Sequence, residues 1–254
     1  IGLRPTLVRI YNQIQYSIFN KTTAKDVKIG KENYLFEGGY IRDYMGYSFI
    51  GENKIAEKVE RLKEIQNKLK KESINLIVVF APGKASYFPE FFPSKYDTAK
   101  RTLSNYLSYV KNCEDLDVDF IDFNSYFINH KKNNKHPLFS KGGIHWGELG
   151  VTLVFDSLTK YIEQKRNINI PDFDLVKLEY PNSLLKEDKD ISDAMNLFFE
   201  YKYYKMPKPH FVFRDTLGTK QPRLLIIGDS FGYGLTNSKL LGKLFSYTEF
   251  WYYN

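Results

Sequence analysis

The chain has 254 residues, 43% hydrophobic and 26% charged, a balance that excludes a disordered polypeptide and allows a continuous buried core. No apolar run nears the roughly 20 residues a bilayer-crossing helix needs, and one cysteine, Cys113, excludes an intramolecular disulfide or a cysteine-based zinc cluster. The net charge of +7 comes from lysines set among many acids, without an arginine-rich arm, so nucleic acid is not an expected partner.

From the N-terminus, Leu3, Leu7, Ile10, Ile14 and Ile18 recur at helical spacing and predict an amphipathic helical segment within about residues 1–28. Residues 30–40 read as turn, short strand and turn. A helix follows over 54–72, with Ile55, Val59, Leu62, Ile65 and Leu69 on one stripe. The unbroken apolar run 74–80 predicts a strand buried on both faces, as in a parallel sheet. Next come a proline-punctuated loop, a helix over about 96–111 with Ala99, Leu103, Tyr106, Leu107 and Val110 inward, and a strand over 118–123. A lysine-rich loop at 131–135 separates these from a helix over 147–166, with Val151, Val154, Phe155, Leu158 and Ile162 on one side. A second buried strand, 223–227, leads into a helical stretch at 235–245. Strands alternating with helices indicate an α/β class, a mostly parallel sheet flanked by helices in one domain over 1–254. In such sheets ligands gather at the carboxyl ends of the strands.

One of those ends carries Gly228-Asp229-Ser230-Phe231-Gly232. The letters fit a nucleophile elbow, in which small residues permit a sharp strand-to-helix turn that exposes a serine. The alternative is an ordinary turn with Ser230 as a helix cap. An α/β-hydrolase would need a histidine after the serine, and none follows Ser230; a chymotrypsin-like double barrel contradicts the long helices. The base must therefore be His130, His136, His145 or His210. His130 and His136 flank the lysine loop, are expected to be exposed, and have no metal-ligand spacing, so neither metal nor cofactor is expected. His145, in Gly142-Gly143-Ile144-His145-Trp146, precedes a helix, and Trp146 could pack its ring and exclude water. It reads either as a base or as a loop histidine. Asp229 is expected to hold the turn by hydrogen bonding. Lys84, after the strand at 74–80, reads either as a contact for an anionic sugar or as a plain surface lysine. The acids of 188–193 suit a helix N-terminus and are assigned no chemistry.

Four segments appear in order: Gly30-Lys31 with Tyr34-Leu35-Phe36; Phe80-Ala81-Pro82-Gly83-Lys84 with Tyr87 and Pro89; Gly143-Ile144-His145-Trp146; and Gly228-Asp229-Ser230-Phe231. Together, over about 30–245, they resemble the SGNH-hydrolase-like domains of the AlgX/AlgJ polysaccharide O-acetylation proteins and their DHHW relatives. The resemblance implies a three-layer domain, Ser230 as nucleophile and His145 as base. It also implies acetyl transfer to, or ester hydrolysis on, a cell-surface or exported polysaccharide, with the acyl donor delivered by a membrane acyltransferase. The expected location is periplasmic or otherwise extracytoplasmic, and the start at Ile1 suggests that a tethering segment has been removed. Gly228 and the Ser230 turn, with a loop donor around Gly38 and Gly39, are expected to hold the oxyanion; Lys84 and Trp146 are the expected substrate contacts.

Two departures stand out. The family has an Asp two residues before its histidine, and here that residue is Gly143. Either another carboxylate replaces it (Asp43, Asp119, Asp122 or Glu148), or a backbone carbonyl holds the ring, or the site only binds, making the protein a non-catalytic carbohydrate-binding or assembly component. The second departure is the end of the chain: the family fold continues past the Ser230 helix, so the apolar tail at 250–254 suggests truncation.

Overall fold

The computed structural model describes residues 2–133, 135–214 and 217–253; Asn134 of the lysine-rich stretch and Asn254 of the tail lie outside them. In chain order the elements are α1 (Arg4–Phe19), β1 (Val27–Ile29), β2 (Leu35–Glu37), α2 (Gly38–Met45), α3 (Glu52–Lys71), β3 (Val78–Phe80), α4 (Lys84–Tyr87), α5 (Asn105–Asp115), β4 (Phe120–Asp122) and α6 (Phe123–Asn133). They continue with α7 (Glu148–Arg166), β5 (Phe173–Glu179), α8 (Asp190–Ala194), β6 (Lys208–Phe213), β7 (Arg223–Gly228), α9 (Gly232–Thr236), α10 (Leu241–Leu244) and β8 (Tyr247–Tyr252). The fold class is α/β, as the alternation of strands and helices indicates. By packing, the chain divides into two compact units: Ile1–Asn134 with Ile191–Tyr201, and Lys135–Asp190 with Lys202–Asn254.

In the first unit β3 and β4 pair in parallel, with Val78 opposite Phe120, and β1 and β2 form an antiparallel pair. The strands are shorter than the apolar runs suggest, and β3 keeps its middle residue, Val79, exposed. Ile55 and Val59 of α3, Cys113 of α5 and Val118 form a buried cluster against Val78, Phe80 and Phe120. Gln66 of α3 is also buried and satisfies the chain just before β4, accepting the Asp119 N–H at 2.7 Å and donating to the Asp117 carbonyl at 3.2 Å. The helix expected from residue 96 starts later, because Ser104 caps it through the Leu107 N–H. Residues 99–103 are therefore not helical, and Leu103 and Leu107 stay partly exposed. Residues 131–133 of the lysine-rich stretch are the last turn of α6 rather than loop, and Lys135 lies outside the helix: Lys131 donates to the Tyr87 carbonyl at 2.5 Å and pairs with Glu90.

In the second unit α7 buries the five residues its stripe selects, Val151, Val154, Phe155, Leu158 and Ile162. β5 pairs antiparallel with β6, and β7 pairs in parallel with β8. The apolar tail is thus largely a strand, aligned so that Arg223 faces Tyr247 and Gly228 faces Tyr252. β7 is not buried on both faces: α9 covers one, and Leu225 and Ile227 on the other are exposed. The helix expected over 235–245 is broken into α9 and α10, with residues 237–240 between them. No helix among the described residues is long and apolar enough to cross a membrane.

Candidate active site

Ser230 stands just past the end of β7, in the turn that leads into α9. Asp229 fixes this turn by accepting the Phe231 N–H on Oδ1 at 3.0 Å, an Asx turn in which the acid serves the backbone. Gly232 follows because no side chain fits: its β-carbon would lie 2.7 Å from Cζ of Phe250, a residue of β8. Among the described residues, no acceptor takes the Ser230 backbone N–H.

The loop before α7 is closed at its base by an antiparallel bridge between Phe139 and Trp146 and by the Gly147 N–H donating to the Leu138 carbonyl at 2.8 Å. Trp146 turns inward, 4% exposed, with its ring edge-on to Phe231 at 5.4 Å. Phe231 also covers His145, centroid to centroid 4.9 Å, so one aromatic residue of the serine turn supports both members of the loop.

His145 Nε2 lies 2.9 Å from Ser230 Oγ, and His145 Nδ1 lies 2.6 Å from Asp190 Oδ2. An ionised carboxylate can only accept, so Nδ1 carries the hydrogen and Nε2 keeps its lone pair for the serine hydroxyl. The other carboxylate oxygen, Asp190 Oδ1, accepts the Ile144 N–H at 2.9 Å, which fixes the acid against the histidine loop. Ser140 adds a second clamp: its hydroxyl donates to the Asp188 carbonyl and accepts the Gly143 N–H at 2.8 Å.

Gly143 explains why the acid arrives from so far along the chain. A β-carbon there would collide with the Glu187 carbonyl oxygen and sit 2.7 Å from the Asp188 carbonyl carbon. The backbone of 187–188 occupies the space a side chain at 143 would need, and the same segment ends on Asp190. The bare glycine at 143 and the placement of Asp190 against His145 belong to one packing arrangement. Asp190 was legible only as one acid of a helix N-terminus; the glycine was the available signal, since it admits a close backbone neighbour. None of Asp43, Asp119, Asp122 and Glu148 replaces the missing acid: Asp43 takes the Ser48 hydroxyl, Asp122 takes the Tyr106 hydroxyl at 2.7 Å, Asp119 lies beside β4, and Glu148 opens α7.

Other expectations need correction. The Gly38 N–H donates to the Asp26 carbonyl at 2.7 Å and the Gly39 N–H to Asp26 Oδ2 at 2.8 Å, so both are spent on starting α2 and neither is free to hold an oxyanion. Lys84 is neither a surface lysine nor an accessible sugar contact: it is 1% exposed, with its ammonium 5.4 Å from the centre of the Phe36 ring. Trp146 is committed to packing; a β-carbon on Gly234 would meet its Cδ1 at 3.1 Å. His130 and His136 are half-buried rather than exposed, and His136 contacts the Tyr180 hydroxyl. His210 pairs with Glu179 across the β5–β6 ladder at 2.8 Å.

Beside the triad, Asp188 is a buried carboxyl, 3% exposed. Burial pushes its pKa up to about 7; the Leu185 N–H opposes the shift, and Glu148, Glu187 and Asp190 add to it. The folded chain holds this proton to higher pH than the unfolded chain, whose ordinary value is 3.8, so stability falls as pH rises through that window and levels off above it. Asp188→Asn keeps an acceptor for Leu185 but cannot ionise. Its melting temperature relative to the parent should climb by several degrees between about pH 5 and pH 8. A difference that stays constant with pH would refute this.

The model of a family described as an SGNH-hydrolase-like domain, acetyltransferase AlgX, matches residues 27–180, which include His145 and stop before Asp190 and Ser230. No curated protein matches the chain. Among solved structures, the O-acetyltransferase domain of Pseudomonas putida AlgJ is similar over 88% of this chain and 79% of its own, at 14% identity and a TM-score of 0.54. Pseudomonas aeruginosa AlgX is similar over 87% of this chain at 18% identity and a TM-score of 0.58, and the alignment spans 55% of the AlgX chain. At these identities the structural likeness is one of fold. The family model, however, takes in more than half of the sequence, and on that match the chain belongs to the SGNH-hydrolase-like acetyltransferase AlgX family.

Proposed function

We propose that the chain transfers an acyl group, acetyl in the simplest case, to a hydroxyl of an exported or cell-surface polysaccharide by way of Ser230. The observation that carries this reading is the unbroken relay from the Ser230 hydroxyl through both nitrogens of His145 to Asp190. Ser230 Oγ attacks the carbonyl carbon of the donor ester while Nε2 of His145 takes the hydroxyl proton. In this reading Asp190 steadies the imidazolium that forms, and the Ser230 N–H donates to the developing oxyanion. The ester C–O bond breaks, the proton passes from Nε2 to the departing oxygen, and acyl-serine remains. A sugar hydroxyl then gives its proton to Nε2 and attacks the acyl carbon, and the proton returns to Ser230 as the acyl–serine bond breaks. Water in place of the sugar gives hydrolysis by the same steps.

Family membership favours the transferase reading, and with it a site of action outside the cytoplasmic membrane and an acyl donor supplied by a membrane acyltransferase. The reading as a non-catalytic binding component draws on Gly143 and on the tyrosine-rich composition; Asp190 against His145 removes the first of these grounds. The test is incubation with a chromogenic acetyl ester, with and without oligosaccharide. The expected results are release of the chromophore, an acetyl-sized mass increase on the peptide that contains Ser230, and acetate appearing on the sugar. Absence of both turnover and covalent labelling would sink the enzyme reading.

A further inference from the structure

Helix α1 is docked the wrong way round for a core helix. Its polar face holds it to the first unit: Arg9 donates to the Leu197 carbonyl at 2.9 Å and the Phe198 carbonyl at 3.1 Å, and Asn12 donates to the Met195 carbonyl at 3.1 Å. Gln13 accepts the Phe199 N–H at 3.0 Å, and the Tyr16 ring meets Tyr201 at 6.1 Å. At about 100° per residue these four side chains lie together on one side of the helix. The opposite side carries Leu3, Leu7, Ile10, Tyr11, Ile14 and Ile18, all exposed, with Leu3 at 76% and Ile18 at 71%. Val8 and Phe19, also exposed, widen this apolar surface to about half the helix circumference. A helix whose hydrogen-bonding face is already used, and whose apolar face is open along its whole length, presents an interaction surface.

Charge selects the occupant. Arg4, Arg9, Lys21 and Lys25 are the only ionisable side chains of this segment that carry charge at neutral pH, and the first acid is Asp26. All four are exposed, and Arg9 spends its hydrogen bonds on neutral carbonyls, which leaves its charge uncompensated. A second copy would bring like charges together. The seam a coiled coil would use, Leu3, Leu7, Ile10 and Ile14, is also broken at its next core position by Ser17. A broad apolar face that carries Arg4, is followed past the helix end by Lys21 and Lys25, and has no anion matches the headgroup region of an anionic bilayer, with the helix lying in the plane of the interface.

We propose that α1 is an in-plane anchor that attaches the chain to anionic lipid surfaces. This does not depend on the chemistry proposed for Ser230. The test is co-sedimentation of the purified chain with vesicles of phosphatidylcholine alone and of equimolar phosphatidylcholine and phosphatidylglycerol. Binding is expected on the anionic vesicles and should weaken with added salt. Leu7→Gln combined with Ile14→Gln changes two exposed residues and should cut partitioning about a hundredfold. Arg4→Gln combined with Lys21→Gln should cut it by up to about thirtyfold on anionic vesicles. An unchanged near-ultraviolet dichroism spectrum and an unchanged melting temperature would show that the fold is kept. Equal binding to neutral and anionic vesicles, equal binding by parent and Leu7/Ile14 variant, or no vesicle binding together with self-association that this variant abolishes, would overturn the proposal.

Discussion

Ser230→Ala should leave a folded protein with essentially no acyl chemistry, kcat on an activated acetyl ester falling on the order of 10⁶-fold. Alanine is smaller than serine and as compatible with the turn, which Asp229 holds through the Phe231 N–H rather than through Ser230. The melting temperature should therefore stay within a degree or two of the parent. What disappears is the hydroxyl that Nε2 of His145 meets at 2.9 Å, the nucleophile of the proposed mechanism. Ester turnover, together with labelling by a fluorophosphonate probe, measures the effect. A variant within tenfold of the parent would mean that the chemistry lies elsewhere.

The second large effect concerns the acid. Asp190→Asn should lower kcat by on the order of 10⁴, because an amide nitrogen facing Nδ1 stabilises the tautomer with hydrogen on Nε2, which cannot accept the serine proton. Asp190 also orders the loop through Ile144, so an additional cost in stability of about 1 kcal/mol is expected. The more discriminating substitution is Gly143→Asp, which restores the family's acid at its usual place in the sequence. Here it should inactivate rather than rescue, since the new β-carbon meets the backbone of Glu187 and Asp188 and displaces the segment that carries Asp190. Gly143→Ala, with no acid to contribute, should approach the same loss of kcat and destabilise the fold by about 1–3 kcal/mol. Melting curves and ester turnover on the three variants check this. Parental activity in Gly143→Ala would falsify the steric link between residues 143 and 190.

Much of this arrangement could be read from sequence because it rests on local physics. The turn around Ser230 follows from glycines flanking a polar pair after an apolar strand, and α7 follows from an apolar stripe that fixes which side is buried. What could not be read depends on backbone meeting backbone across long separations. Nothing in the spacing of 188–193 shows that Asp190 reaches His145, because that contact is set by the path of the chain over Gly143. Lys84 looked like a surface residue because a lone lysine after a strand usually is one; its burial against Phe36 comes from tertiary packing. For α1 the periodicity predicts the helix, but the usual inference that an apolar stripe faces inward is reversed by hydrogen bonds that Arg9 and Asn12 donate and Gln13 accepts.

The packing of Gly143 under the segment that ends on Asp190 bears on how members of this family are read from sequence. A scan that demands an acid just upstream of the histidine would file this chain among inactive relics, although a carboxylate stands 2.6 Å from the imidazole. A bare glycine at that position is better treated as a pointer than as a deletion. Here it marks the spot where a remote stretch of main chain crosses, and two residues beyond that crossing stands the carboxylate that meets the imidazole.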